Sequence, residues 1–214
     1  MELKEAWRNA ADRFSAAMEG AKSVLNEAFK GTRGRLQKFL LFLLWDGYRT
    51  AVSAQTLVQQ GLTDPRIPAD SVELLTPQIL ERAILSSYCR KYASAEVVDR
   101  FLKTSARQWE RSWQPLITTE DRDLPVKQLP DYKQMAEDIG GNLYEIYGKL
   151  SYLIHPRAAQ PYSLVEEESG LSPEIFSRRR IQKILPVAAS LLIILTQNFS
   201  DSQSEGSSSS NSSP

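Results

Sequence analysis

The stretch Asp131-Tyr132-Lys133-Gln134-Met135-Ala136-Glu137-Asp138-Ile139-Gly140-Gly141-Asn142-Leu143-Tyr144-Glu145-Ile146-Tyr147-Gly148-Lys149-Leu150-Ser151-Tyr152-Leu153-Ile154-His155-Pro156 decides the fold class. Its apolar residues Met135, Ile139, Leu143, Ile146, Leu150 and Leu153 recur at steps of four and three, the spacing of one face of an α-helix. Asp131 supplies an N-cap acceptor for this helix. At its other end Pro156 biases His155 out of the α region.

The same period extends toward the N-terminus. Leu3, Trp7, Ala10, Phe14, Ala17, Ala21, Val24 and Ala28 predict an amphipathic first helix over 3–29. The glycines at Gly31 and Gly34 interrupt it, and a second helix runs from about Arg35 to Gln60, with Gly61 as its stop. The stretch 62–76 holds Pro65 and Pro68 and reads as a loop. Thr76-Pro77 then reads as an N-cap followed by a first-turn proline, opening a third helix through Ile79, Leu80, Ala83, Ile84 and Tyr88. A fourth helix follows from Ser94 to Trp113, and 114–130 and 157–171 are long connections. Ser172-Pro173-Glu174 starts the last helix, which runs to about Phe199 with a kink expected at Pro186. The Ser-rich segment 200–214 has no apolar face and reads as a disordered tail.

No hairpin dipeptide or sustained alternation marks a strand, so the expectation is an all-α bundle of about five or six helices. Three parts are expected: an N-terminal amphipathic helix over 1–33, a helical bundle over 34–199, and the tail.

Composition excludes several functions. One His and one Cys cannot build a Cys/His zinc site, and no metal or cofactor is expected. Lys plus Arg and Asp plus Glu both number 26, so there is no global pull toward nucleic acid or anionic lipid. Without 200–214 the balance is 26 basic against 24 acidic residues, because Asp201 and Glu205 lie in that tail. Two apolar runs, 39–45 and 184–195, the second including Pro186 and Ser190, fall short of the roughly 20 residues of a bilayer span, so no membrane contact is expected. A charged start and a lone Cys89 make the cytoplasm the expected location.

The sequence contains no Gly-x-Ser-x-Gly elbow, no phosphate-binding loop and no Gly-x-Gly-x-x-Gly. Glu137, Asp138 and Glu145 lie on one predicted helix, where they read as carboxylates for a paired acid/base mechanism, as a Mg²⁺ site or as its solvated face. Gly31-Thr32-Arg33-Gly34 is a glycine-punctuated junction with Lys30, Arg33, Arg35 and Lys38 around it. Between Lys22 and Arg49 six basic residues face two acidic ones, which makes a phosphate contact admissible there. Trp109 and Trp113, interleaved with Arg107 and Arg111, read either as core or as a stacking face. Arg178, Arg179 and Arg180 open the last helix against its dipole and are a further candidate for an anionic partner.

His155 closes its helix with Lys149 six positions before it and Ser151 one turn before it. It reads either as a C-terminal cap or as a general acid/base. The pattern Tyr147, Leu150, Ser151, His155 and Pro156 resembles a family of uncharacterised, mainly bacterial helical proteins close to the HEPN (higher eukaryotes and prokaryotes nucleotide-binding) bundles. The segment Ile79-Leu80-Glu81-Arg82-Ala83-Ile84-Leu85-Ser86 is similar to that family's Arg-led helix, with Ser86 where the family often has Glu.

The resemblance implies an HEPN-like bundle over about 36–195 and, since many HEPN proteins are metal-independent ribonucleases, an RNA-directed function. It leaves Gly148, Lys149 and Leu150 as the positions where such enzymes carry Arg; Lys149 offers positive charge there, but lysine lacks the bidentate guanidinium fork. On this reading a homodimer brings two copies of His155 and Lys149 into one cleft, with Ser151 as polar helper. His155 then handles the proton of the 2′-hydroxyl or of the leaving 5′-oxygen. The competing expectation is a non-catalytic interaction module that meets a protein partner through the first helix or the Trp109/Trp113 face.

Overall fold

In the computed structural model, apolar periodicity becomes packing around one long helix. The structure describes residues 2–28, 30–31, 34–63, 72–92, 98, 130–154 and 173–208. Among them are six helices and no strand: α1 (Glu2–Ala28), α2 (Arg35–Thr63), α3 (Val72–Tyr92), α4 (Tyr132–Ile139), α5 (Asn142–Ile154) and α6 (Pro173–Ser208). The fold is all-α. The predicted fourth helix lies outside the described residues except for Val98, which is buried.

The central helix is α6, which packs most extensively on α1 and then on α3 and α2. Its Ile181, Leu185, Leu191, Leu192, Leu195 and Phe199 are buried and share one core with Phe14 of α1, Leu40 and Leu44 of α2, and Ile79, Leu80 and Ile84 of α3. The first helix is therefore part of the bundle. Ala10, Phe14, Ala17, Met18, Ala21 and Leu25 are all spent on its core. By length and composition Ile181–Ser204 is sufficient to cross a membrane. The run 184–195 is shorter than this segment, but polar residues beyond it such as Thr196 and Asn198 do not lower the mean hydropathy enough to end the segment there. In the bundle its apolar side chains meet α1, α2 and α3.

Four local expectations are corrected. Thr76-Pro77 does not open α3, which begins at Val72. Val72, Glu73, Thr76 and Pro77 are all buried, and the Thr76 hydroxyl donates to the Val72 carbonyl at 3.1 Å. Burial thus holds an extra turn, even though Pro77 has no N–H to offer the Glu73 carbonyl.

The helix expected over 131–155 is two. Gly140 and Gly141 have φ of +75° and +65°, and glycine enters this left-handed region without a Cβ penalty. The Gly140 N–H bonds the Ala136 carbonyl at 2.9 Å and closes α4. The predicted cap is present: Asp131 Oδ1 accepts from the Gln134 N–H at 2.8 Å.

The last helix does not stop at Phe199 but continues through nine of the residues read as tail, to Ser208. Buried Ser202 explains the extension: its carbonyl accepts from Gln37 Nε2 at 2.8 Å, and Asp201 lies 3.7 Å from Arg90. Finally, α2 continues two residues beyond Gly61, to Thr63.

Candidate functional site

The helix that carries Tyr147 and Leu150 meets the Arg-led helix on one side of the bundle, where α3 packs on α4 and α5. Arg82 Nε of α3 is 2.7 Å from Asp46 Oδ2 of α2, with each side chain 26% exposed. Arg82 Nη1 is also 3.6 Å from Glu81 Oε2 and donates to the Gln78 carbonyl. Burial raises the Glu81 carboxyl above its ordinary range, partly offset by Arg82. Burial also raises the Tyr132 phenol, with Glu81 adding to the effect and Arg82 opposing it. Tyr147, the first residue of the motif, is raised by burial and by the charges of Asp131 and Glu81, against Lys133.

This seam gathers three carboxyl groups, Asp46, Glu81 and Asp131, against two cations, Arg82 and Lys133. Arg82 is already engaged by Asp46, and Lys133 is 3.8 Å from Glu137. An anionic phosphate has little to gain from such a balance. The seam instead ties α2, α3, α4 and α5 together.

At the position where the resembled family often has Glu, Ser86 is buried and donates to the Ala83 carbonyl at 3.0 Å. Asn198 Nδ2 of α6 donates to the Ser86 and Ser87 hydroxyls, at 2.9 Å each. These are bonds that hold α3 on α6. Buried Cys89, its thiol pushed up to about 12 by burial, is not a thiolate at neutral pH.

Of the residues singled out in the motif, Lys149 is exposed on α5 and Ser151 lies in that helix's last turn. His155 lies outside the described residues, as do Arg33, Arg107, Trp109, Arg111 and Trp113. Arg178, Arg179 and Arg180 fall within the first three turns of α6. Glu137 and Asp138 sit on α4 and Glu145 on α5, separated by the glycine pair. Among the described residues no group of three or more His, Cys, Asp or Glu is placed to hold a metal.

A second surface was only half visible in the sequence. Lys38, Phe42, Trp45, Arg49 and Val52 follow one another along α2 at steps of four and three, so they form one stripe. Phe42 is 51% exposed and Trp45 38%. The Arg49 guanidinium lies 4.6 Å over the Trp45 ring, and the Phe42 and Trp45 centroids are 6.4 Å apart. The opposite face, Leu40, Leu43, Leu44, Ala51 and Ala54, is buried.

Arg35 and Lys38 are exposed in the first turns of α2, and Lys30 is exposed in the turn before it. The first turn of α2 holds no acidic residue, so helix dipole and side chains add to the same positive potential. Gly34 starts this helix, its N–H donating to Gln37 Oε1 at 3.3 Å, half of a capping box. Asp46, the acid nearest in sequence to Trp45 and Arg49, is turned aside to Arg82.

Of the four basic residues expected around the glycine junction, Lys38 lies beside the exposed rings, and Lys30 and Arg35 are exposed at the N-terminal end of the same helix. What the sequence lacked was a sign that Phe42 and Trp45 point outward, because the run 39–45 is apolar throughout. Compared with protein-family models, with curated proteins and with solved structures, the chain matches none.

Proposed function

We propose that this protein is an HEPN-like, RNA-directed helical bundle that binds RNA along the exposed stripe of α2. The observation that carries the proposal is the alternation Lys38, Phe42, Trp45, Arg49 on a single solvent-facing line, with Lys30 and Arg35 at its basic end. Cations neutralise backbone phosphates and release counterions, while aromatic faces stack on bases. The resemblance carried by Tyr147, Leu150, Ser151, His155 and Pro156 supports the same class of ligand.

Cleavage enters this reading through His155 and the exposed Lys149, paired across a homodimer. It predicts metal-free RNA cleavage that is lost in His155→Ala. Full cleavage by that variant rejects the catalytic part and leaves the binding part standing.

The binding part is tested by anisotropy titration of a labelled RNA oligomer with the full chain and with Lys38→Ala/Arg49→Ala. Removing two phosphate contacts should weaken binding at least about tenfold at low salt and reduce its salt dependence. Unchanged affinity contradicts the proposal.

A further inference from the structure

The α2 stripe carries a shape as well as a charge. Lys38, Leu41, Phe42 and Trp45 line an open cavity of about 420 Å³, room enough for a planar aromatic ring with its substituents. The ring planes of Phe42 and Trp45 are inclined at 42°. They make a tilted contact rather than a parallel stack, and both side chains stay exposed, so each can still meet a further ring. Arg49 covers Trp45 from above its ring but does not line the cavity, so the cavity side of the indole is not taken by that contact.

Lys38 and Arg49 are separated by eleven residues of helix, about 16 Å along its axis, so the two cations address different phosphates.

We infer that this cavity is a base-stacking pocket: it takes one unpaired nucleobase of a bound strand against Phe42 and Trp45, with Lys38 and Arg49 on phosphates to either side. The inference rests on the RNA-binding reading and adds that the ligand is single-stranded. A duplex keeps its bases stacked on one another, so only its backbone could meet the stripe, and the energy of the aromatic contact would be lost. Charge alone does not make this distinction, because single and double strands both present phosphates.

The test compares three labelled probes on the full chain: a mixed-sequence single-stranded RNA, the same sequence as a duplex, and an abasic strand of equal length. The pocket predicts that the single strand binds at least about tenfold tighter than either other probe. In Phe42→Ala/Trp45→Ala, whose side chains are exposed and whose helicity is checked by circular dichroism, the single strand should fall to the level of the abasic one. Equal binding of all three probes by the unaltered chain overturns the pocket while leaving an RNA-binding stripe in place. Binding to none of them overturns the RNA-binding reading and the pocket with it. Capture by anionic phosphatidylserine vesicles with no binding to any probe overturns both in favour of a lipid surface.

Discussion

Asp46 and Arg82 are the most consequential polar pair among the described residues. Their 2.7 Å contact, part-buried on both sides, removes a carboxylate from the α2 stripe and fastens α2 to α3. Asp46→Asn should cost about 1.5–3 kcal/mol in urea denaturation, the range for a hydrogen bond to a charged group. A cost near zero would reduce the pair to an ordinary surface contact. Glu81 beside it sets a pH dependence. The unfolded chain ionises Glu81 near its ordinary value of 4.5, the folded chain only at higher pH, so between the two values the unfolded state holds fewer protons. The contribution is full below the ordinary value and is lost as pH rises through the folded value. Glu81→Gln should therefore flatten the fall in stability that sets in as pH rises above that ordinary value and leave the protein more stable near neutrality. Urea midpoints across that rise in pH measure it, and an unchanged slope would contradict the assignment.

Among the elements, α1 is the one whose role changes most between sequence and structure. Its apolar residues were legible from spacing alone, but a stripe on an isolated helix fits a partner as well as it fits the chain's own core. Only the packing on α6 decides between them. Phe14, 2% exposed, should cost about 3–5 kcal/mol on truncation to Ala. Removing residues 1–30 should abolish cooperative thermal unfolding, where an appended helix could be cut away with the bundle intact. The misread boundaries share one physical cause. Thr76-Pro77 is a strong local start signal, yet burial of Val72 and Glu73 outweighs it. Serine-rich sequence predicts a tail, yet Ser202 docks against Gln37, a contact 165 residues apart in the chain. By contrast, the Asp131 cap was legible because its acceptor lies three residues from its donor.

For the whole molecule, the zero net charge conceals an uneven surface. Helical periodicity made the all-α class legible, because each helix declares its buried face within a few turns. The candidate site was legible only as charge. Lys30, Arg35 and Lys38 could be read as a cluster, but Phe42 and Trp45 sit in a run apolar on every side, and exposure depends on which sides neighbouring helices cover. If Lys30, Arg35, Lys38 and Arg49 all meet phosphates, log K against log salt should have a slope of about −2 to −3 for single-stranded RNA. The most direct measurement locates the strand on the protein. Ultraviolet crosslinking of the full chain to single-stranded RNA, followed by tryptic mapping, should put the adduct on the peptide 39–49, which holds Phe42 and Trp45. Adducts confined to the peptide 150–157 around His155, with 39–49 unmodified, would contradict the account.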